Sequence, residues 1–598
     1  MKRQAGSKGG KRGGGAIHTL TSWVPSTHRP TIMGTRGMVS SGHYLATLAG
    51  VRMLQQGGNA VDAGVAAGLC INVLHPDMTN LGGVAPIMIY LADKGEVVTI
   101  PGLGVWPQAA SVGFFQEKAG GKIPLGVLRS VVPAAADAWI TALDRYGTAT
   151  FAQAAESAIE LAEGGFPVFE FLHSQIEEYQ GVLSRWPSTA EIFLPQGRPP
   201  AVGEVLVQRD LAHTLKRMAA AERGHHQERH AGLMAARDLF YRGDIAATIV
   251  RFCQEQGGLL TMEDLDRFQV GVEEPVKTDY RGYEVYCCGP WCQGPVLAQA
   301  LNLLEGYDLT ALGHNTLDYV HLLTEALKLV FADREQHYGD PRFIPVPIGG
   351  LLSKQYAQQR RELINPNQAW PEMPPPGQPG RVEGDAAAVL SRRRGPLGSS
   401  GPVPADTSYV CTVDSRGNAF SATFSDPISD TPIVPGLGIT ISSRGSQSWL
   451  DSAHPSSVQP GKRPRLTPNP AMVLKDGRPF MVFGTPGGDV QCQAMLQALL
   501  NIVEFGMDPQ QAVEAPRFAT FSFPNSFYPH RYYPGRLDVE GRFPGRVLAG
   551  LKARGHGVRK WADWDPAAGA VCAIVIDPET GVLKGGADPR RFSYALGW

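Results

Sequence analysis

Cysteine, charge of one sign and long apolar runs are all scarce in this chain. It has 8 cysteines among 598 residues, too few for the disulfide framework that holds small secreted domains together. The formal net charge is −1 and the pI is near 7.0, which leaves no basic surface for nucleic acid or anionic lipid. No run reaches the roughly 18 to 20 apolar residues of a membrane-spanning helix. A small-molecule substrate is therefore expected, with no nucleic acid and no membrane as partner.

The amino-terminal segment lacks a secretory signal. Residues 1–35 are rich in glycine, lysine and arginine and contain no apolar stretch of the roughly 7 to 15 residues that such a signal needs. We interpret this segment as a flexible basic tail and expect a cytoplasmic protein.

The sequence also lacks a convincing metal motif. Cys287, Cys288 and Cys292 form the only cysteine cluster, and neither a second pair nor well-spaced histidines follow it, so reduced thiols in a buried strand and loop are expected. The spacing of His225, His226 and His230 resembles a metal site, but the polar segment 222–230 is typical of an exposed loop. No metal and no cofactor are predicted.

Helical and strand-like patterns are mixed along the first 330 residues. Segments 44–54 and 60–73 have helical periodicity. The glycines Gly57 and Gly58 between them predict the end of one helix, and Asn59 predicts the cap of the next. This mixture, in a chain long enough for a large core or two closely joined halves, predicts an α+β fold.

A proline-rich and glycine-rich stretch, residues 366–406, interrupts these patterns. A stretch of this kind inside a compact protein is typical of a linker or a functional loop. It ends abruptly at Asp406-Thr407, where a β pattern begins. Strands over 407–413 and 418–425, joined by a turn at 414–417, form a predicted hairpin. Its register places Thr407 opposite Phe424 or Ser425.

A second feature follows the predicted strand over 480–484. Gly487 and Gly488 form a turn, Asp489 is predicted to cap a helix over 490–505, and free backbone N–H groups at a helix start favour an anion. No Walker-type lysine follows, which argues against a nucleotide loop. A simple helix entry stays an alternative for this turn.

Asp406-Thr407 can carry nucleophilic chemistry. A threonine hydroxyl that attacks its own preceding carbonyl gives an ester, and water then cleaves the chain. The freed α-amine, whose ordinary pKa is roughly 7.7 to 8.0, can take the proton from the hydroxyl of the same residue. N–H groups at Gly487 and Gly488 could then stabilise the oxyanion. The alternative is a loop end followed by a β-branched residue that starts a strand.

Taken together, these segments resemble the γ-glutamyltransferase family over about residues 35–598. Asp406-Thr407-Ser408-Tyr409 resembles the family's nucleophile strand, Gly461-Lys462-Arg463-Pro464 its Lys-Arg-Pro segment, and Thr485-Pro486-Gly487-Gly488 its oxyanion loop. Three shorter stretches of the large-subunit side, residues 57–63, 280–283 and 339–341, resemble the family too.

The resemblance implies an N-terminal nucleophile hydrolase with a four-layer αββα sandwich, made as an inactive precursor or zymogen. It implies cleavage into a large subunit, residues 36–406 behind the tail, and a small catalytic subunit, residues 407–598, that stay associated as a heterodimer; further dimerisation is left open. By position, Thr407 is implied as nucleophile, Gly487 and Gly488 as oxyanion hole, and Ser425 as the hydroxyl bonded to the nucleophile.

The chain departs from the family at the residues that bind the glutamyl group. The segment 101–107, where the family has an arginine for the substrate α-carboxylate, contains none. Gln447 stands near the acidic residue that receives the α-amine, Leu466-Thr467 replace paired serines, and Pro427 replaces an asparagine. Losing both charged contacts abandons γ-glutamyl selectivity.

Arg444, predicted on a strand before Gly445, replaces a neutral residue. We list it with Gln447 and Thr467 as substrate-binding candidates, since it could recruit a carboxylate; a solvated surface arginine is the alternative. Trp106 and Trp291 could line an acyl pocket but are more often core or cleft wall.

Three functions are compatible with these residues. The first is an autoprocessing amidohydrolase whose acyl group is not strictly γ-glutamyl, like the family's cephalosporin acylases and oxamate amidohydrolase. The second is a γ-glutamyltransferase or glutathione hydrolase, with acyl transfer to amino acids. The third is an uncleaved, non-enzymatic binding protein. We favour the first.

Overall fold

The computed structural model describes residues 27–224, 228–380, 397 and 406–598. The rest of the predicted tail and loop, and His225 and His226, lie outside the described residues. Residues 32–34, which the sequence assigned to the tail, instead form an edge strand, because their backbone pairs with residues 583–585. No helix among the described residues has the length and apolarity needed to cross a bilayer.

The described strands, in chain order, are β1 (Ile32–Gly34), β2 (Met38–Ser41), β3 (Ile87–Leu91), β4 (Glu96–Ile100), β5 (Phe166–Pro167), β6 (Val205–Leu206), β7 (Val276–Tyr280), β8 (Tyr283–Cys287), β9 (Ser408–Val413), β10 (Ala419–Phe424), β11 (Ile433–Val434), β12 (Ile439–Thr440), β13 (Ala471–Lys475), β14 (Arg478–Gly484), β15 (Phe518–Thr520), β16 (Arg536–Val539), β17 (Gly557–Lys560), β18 (Cys572–Ile576), β19 (Leu583–Ala587) and β20 (Tyr594–Gly597).

The described α-helices are α1 (Tyr44–Gln55), α2 (Ala60–Leu74), α3 (Val112–Lys118), α4 (Ala135–Tyr146), α5 (Phe151–Gly164), α6 (Glu170–Leu183), α7 (Pro187–Phe193), α8 (Arg209–Arg223), α9 (Arg229–Tyr241), α10 (Asp244–Glu255), α11 (Met262–Asp266), α12 (Gly294–Leu304), α13 (Leu309–Leu312), α14 (Leu317–His337), α15 (Ile348–Leu351), α16 (Lys354–Arg361), α17 (Gln491–Val503), α18 (Pro509–Glu514) and α19 (Gly545–Ala553).

Two antiparallel sheets form the centre of the molecule. The first has the strand order β1-β19-β18-β14-β13-β8-β7, and the second has the order β20-β2-β9-β10-β3-β4. They face each other across a buried apolar layer that includes Met88, Tyr409, Met472 and Ile574. Helix α2 packs on the outer side of the second sheet, and α12, α14 and α17 cover the first. The predicted α+β, four-layer αββα sandwich is confirmed.

Strands from both sides of residue 406 alternate in each sheet. In the second sheet, β9 and β10 lie between β2 and β3, and in the first, β19 to β13 lie between β1 and β8. The two segments therefore share continuous hydrogen-bonded sheets.

Local sequence signals account for several element ends. The Asn59 side chain accepts from the backbone N–H groups of Val61 and Asp62 at 2.9 and 3.0 Å, so it caps α2 as predicted. All eight cysteines are buried free thiols, as expected. Residues 366–380 of the predicted loop contain no helix or strand, but they are packed: the Met373 N–H donates to the Tyr532 hydroxyl at 2.8 Å.

Candidate active site

The predicted hairpin brings Thr407 against Ser425. Strand β9 pairs with β10 so that Ser408 faces Phe424, and the next pair outward is Thr407 and Ser425. Their hydroxyl oxygens lie 2.8 Å apart, and Thr407 is 1% exposed. The predicted proximity is confirmed. A one-residue slip would exchange the side chains that face the α2 side with those that face the other sheet, and both sets are buried, so the register is fixed by packing on both faces.

The backbone at Thr407 is strained. Its φ is +100°, and a β-branched residue with positive φ is an outlier that costs on the order of 1–3 kcal/mol. The carbonyl oxygen of Asp406 accepts a hydrogen bond from the Gly487 N–H at 3.3 Å. A hydroxyl, the carbonyl preceding it and an N–H donor on that carbonyl oxygen are therefore held together.

The Gly-Gly turn requires glycine. Gly487 and Gly488 have φ of +126° and +56°, conformations that L side chains rarely adopt. Gly487 lies between β14 and a 3-10 turn, and Gly488 begins that turn, Gly488–Val490, which leads into α17. The predicted capping by Asp489 is wrong. Its carboxylate instead accepts from the Ser526 N–H at 2.8 Å and from Arg334 Nη1 at 2.5 Å, which hold it away from the start of α17.

A layer of polar side chains behind this turn was missed by sequence reasoning. Gln293 Nε2 donates to the carbonyl oxygens of Gly488 at 2.8 Å and Thr467 at 3.0 Å. Arg334 Nη1 donates to Gln293 Oε1 at 3.2 Å. Arg334 is fully buried on α14. Three consecutive charged residues, 333–335, in a helix whose apolar residues recur on every face were the available signal, because buried charges need partners.

Arg444 is buried beside the nucleophile candidate. It lies in a 3-10 helix, Arg444–Gln447, and is 0% exposed, so the predicted strand and the surface-arginine alternative are both wrong. Nη2 donates to Ser425 Oγ at 2.8 Å and forms an ion pair with Asp406, while Nε donates to Asp426 Oδ1 at 3.0 Å. Asp406, Ser425 with Asp426, and Arg444 come from three segments that meet only inside the fold. Packing of these segments therefore buries the guanidinium.

The charge state of Arg444 follows from the same contacts. Burial alone would lower the pKa of its guanidinium, but Asp406 and Asp426 hold that pKa above its ordinary value. The third nitrogen, Nη1, is buried without a hydrogen-bond partner among the described residues. Arg444 is therefore a permanent cation with one unused donor group.

Asp426 is a further residue that sequence reasoning did not single out. It has φ of +117°, and its carboxylate accepts from the Ser443 N–H at 2.8 Å, the Ser443 hydroxyl at 2.6 Å and the Ser442 hydroxyl at 2.7 Å. With Arg444 Nε it has four donors. This network fixes the orientation of the guanidinium, and its position directly after Ser425 was the only sequence signal.

Gln447 and Thr467 pair with each other rather than projecting free amide and hydroxyl groups. Gln447 Nε2 donates to Thr467 Oγ1 at 2.8 Å, and both residues are fully buried. Trp106, in the segment without arginine, and Trp291 are buried and donate to Ser448 and Glu273, which fits core and wall positions. Among the described residues, no hydrogen bond joins these side chains to Thr407.

Little space is left beside Thr407 in the uncut chain. The cavity that reaches it has a volume of about 10 Å³ and is walled by His75, Phe171, Pro486 and Arg591, which is room for about one water molecule. Phe171 comes from α6. The Asp406 side chain, which is 11% exposed, takes the position next to Arg444.

Among the described residues, one group has the composition of a metal site: His321, Glu325 and His556. His321 and His556 are joined by a hydrogen bond of 2.9 Å, and Glu325 is paired with Lys328 Nζ at 2.7 Å. An ammonium group on the carboxylate disfavours a cation there. The prediction that His230 lies in a loop is wrong, because α9 already begins at residue 229. Its exposed ring places Nδ1 2.8 Å from Asp144 Oδ1.

Comparison with known proteins places these residues in context. A family model described as gamma-glutamyltranspeptidase matches residues 46–598. The chain is 35% identical over 574 residues to the glutathione hydrolase-like YwrD proenzyme of Bacillus subtilis (strain 168), covering 95% of this chain and 99% of the relative. It is 34% identical over 570 residues to the acylase ACY 1 proenzyme of Pseudomonas sp. (strain SE83), covering 93% and 92%. The cephalosporin acylase from Bacillus halodurans has a TM-score of 0.82 at 30% identity, covering 97% of this chain and 99% of that one.

Proposed function

The chain belongs to the gamma-glutamyltranspeptidase family, whose members hydrolyse or transfer acyl groups held in amide bonds, and on that premise we propose that it is an autoprocessing amidohydrolase with Thr407 as its nucleophile. One observation carries the proposal. The strained Thr407 places its hydroxyl 2.8 Å from Ser425 Oγ, while the oxygen of the Asp406 carbonyl group, whose carbon it would attack, already accepts from the Gly487 N–H.

Self-cleavage follows from this geometry. Thr407 Oγ1 adds to the carbonyl carbon of Asp406, and Gly487 stabilises the oxyanion. The C–N bond breaks, the hydroxyl proton passes to the nitrogen, and an ester joins Asp406 to Thr407 Oγ1. Water hydrolyses the ester, which gives a carboxylate at Asp406 and a free α-amine on Thr407. The strain at Thr407 is relieved when this C–N bond breaks.

The same groups then turn over substrate. The α-amine of Thr407, with an ordinary pKa of about 7.7 to 8.0, takes the hydroxyl proton as Oγ1 attacks the substrate amide. The leaving amine takes that proton, and water cleaves the acyl-enzyme ester. Ser425 and the Gly487-Gly488 turn serve both reactions. No metal or cofactor takes part in these steps.

The two products of cleavage are proposed to stay together as a heterodimer. Strands β9 and β10 of the carboxyl-terminal piece lie between β2 and β3 of the amino-terminal piece, and four further strands of the carboxyl-terminal piece, from β19 to β13, lie between β1 and β8 of the amino-terminal piece. Separating the pieces would break both central sheets and expose their shared apolar layer.

The acyl group is proposed to differ from γ-glutamyl. Segment 101–107 offers no arginine for an α-carboxylate, and the Gln447 amide is already bonded to Thr467. Glutathione hydrolysis is the second candidate, favoured by the name of the Bacillus subtilis relative. Purified protein offered γ-glutamyl, glutaryl and oxamic amides separates the two, and rapid turnover of the γ-glutamyl amide alone would favour the second.

Intact mass measurement and amino-terminal sequencing test the chemistry before any substrate is known. We expect a fragment that starts at Thr407, whereas a single intact chain with activity would refute the proposal. Thr407→Ala should fold, remain uncut and be inactive. Thr407→Ser, which keeps a hydroxyl, should still be cut. Ser415→Ala, an exposed change in the turn of the same hairpin, is the control and should process normally.

A further inference from the structure

We propose that the substrate's acyl group is a four-carbon dicarboxylic chain of the succinyl type, whose free carboxylate is bound by Arg444. This inference rests on the proposed function and names the substrate class of the same site. The uncut chain contains the template for that acyl group in Asp406.

Asp406 spans the two groups that would hold such a substrate. Its backbone carbonyl oxygen accepts from the Gly487 N–H at 3.3 Å, and its side-chain carboxylate forms an ion pair with Arg444 Nη2. Two carbon atoms, Cα and Cβ, separate the backbone carbonyl carbon from the carboxylate carbon. The distance between oxyanion donor and guanidinium is therefore matched to a dicarboxylic acyl group with two carbons between its ends.

The chemistry of self-cleavage reinforces this match. Its ester intermediate joins the carbonyl carbon of Asp406 to Thr407 Oγ1, and the ester formed during turnover joins the substrate carbonyl carbon to the same oxygen. Asp406 is thus the first acyl group that the site transfers and hydrolyses. The attacking atom and the oxyanion donor are the same in both reactions, so the acyl chain extends from the carbonyl in the same direction.

Arg444 needs a new anion once Asp406 has departed. The guanidinium is fully buried, and Asp426 engages only Nε. Nη1 has no hydrogen-bond partner among the described residues even in the uncut chain, and Nη2 keeps only Ser425 Oγ. A carboxylate bound to Nη1 and Nη2 together would satisfy both donors in the paired geometry that guanidinium favours. Because the cavity at Thr407 has a volume of only about 10 Å³, Asp406 must leave before a substrate enters.

Chain length and charge distinguish this acyl group from its relatives. A glutaryl group places the carboxylate one methylene farther from the carbonyl, and a malonyl group places it one methylene nearer. A butyryl group has the same number of carbons as succinyl but ends in a methyl group. A γ-glutamyl group is longer and carries an ammonium group, for which the bonded Gln447 offers no negative charge.

The test uses the processed wild-type protein and the succinyl, malonyl, glutaryl, γ-glutamyl and butyryl p-nitroanilides. We expect kcat/KM for the succinyl compound to exceed those for malonyl and glutaryl by about tenfold, the effect of one misplaced methylene, and that for butyryl by about 100-fold. Succinate should inhibit competitively and butyrate should not.

Equal rates for butyryl and succinyl, or a preference for glutaryl, would overturn this inference and leave the amidohydrolase proposal standing. A preference for γ-glutamyl would overturn this inference and favour glutathione hydrolysis as the function. A protein that is never cut before Thr407 would instead refute the proposed function itself. Arg444→Gln should reduce the preference for succinyl over butyryl to within about threefold, whereas Arg416→Gln, an exposed arginine in the hairpin turn, should retain it. If Arg444→Gln fails to fold, succinate inhibition of the wild type decides, and inhibition equal to that by butyrate refutes the inference.

Discussion

Replacing Ser425 by alanine tests how the Thr407 hydroxyl is activated. Ser425 Oγ lies 2.8 Å from Thr407 Oγ1 and 2.8 Å from Arg444 Nη2. A guanidinium only donates, so Ser425 Oγ accepts from Arg444 and keeps its own proton for Thr407. Negative charge that develops on Thr407 Oγ1 during attack would then be stabilised by a polarised hydroxyl.

The expected size of the effect follows from that contact. A hydrogen bond to a charged group contributes about 1.5–3 kcal/mol, and each 1.4 kcal/mol or so is tenfold in rate. Ser425→Ala should therefore slow both self-cleavage and acyl transfer by about 10- to 100-fold. The loss should appear in kcat rather than KM, because the charge exists only in the transition state. Ser425→Thr keeps the hydroxyl and is the matched control.

Two assays measure the effect. Denaturing gels of freshly synthesised protein give the rate of self-cleavage, and the burst of p-nitroaniline from the processed protein gives the rate of acyl transfer. Thermal unfolding confirms that each variant is folded. Cleavage and burst rates of Ser425→Ala within about twofold of the wild type would refute the reasoning, because the predicted bond would then contribute less than about 0.5 kcal/mol.

Three further changes give independent predictions. Gly488→Ala should lower kcat by about 100-fold or more by moving an oxyanion donor, while Gly436→Ala, which also has positive φ (+75°) but open space around it, should leave kcat unchanged; equal losses would contradict the assignment. Burial, with the charges of Lys328 and His321 adding to it, lowers the pKa of His556 to about 2. The neutral ring therefore contributes its full share to the free energy of unfolding above about pH 6.5, and that free energy should fall by about 2 kcal/mol by pH 5. His556→Gln, which can still donate to His321, should flatten the dependence of Tm on pH, and an unchanged slope would count against it. Thr407→Gly and Thr407→Ala should both remain uncut, and the free energy of unfolding of the glycine variant should be larger by about 1 kcal/mol because positive φ costs glycine nothing. Chemical denaturation that shows the alanine variant to be the more stable would contradict the assignment of strain to Thr407.

The parts of the site that were predictable depend on neighbours in the sequence. Strands β9 and β10 are joined by a short turn, so alternation and turn residues alone placed Thr407 opposite Phe424 or Ser425. The turn at Gly487 and Gly488 was likewise predictable, because a glycine pair between a strand and a helix suits positive φ. The layer order also followed, once the chain resembled a family of known fold.

The parts that were not predictable join distant segments. Gln293 reaches Gly488 across 195 residues, and Arg334 reaches Asp489 across 155. Arg444 could not be told from a surface arginine, because only tertiary packing buries it. Asp489 is a suitable helix cap by residue type, and the cap failed because a buried arginine, invisible to local pattern, competes for the same carboxylate.

The two strained residues of the site differ in what cleavage does to them. Thr407 and Asp426 have φ of +100° and +117°, each at a cost of about 1–3 kcal/mol that persists only where the surroundings over-determine it. Sheet pairing from residue 408 onward fixes one side of Thr407, while Gly487 and Arg444 fix Asp406 on the other. No rearrangement of the intact chain removes this strain without breaking those contacts, whereas the proposed acyl shift to Thr407 Oγ1 would break the peptide bond that defines φ. Asp426 lies outside the proposed cut, so its strain would remain after cleavage, together with the carboxylate that orients Arg444.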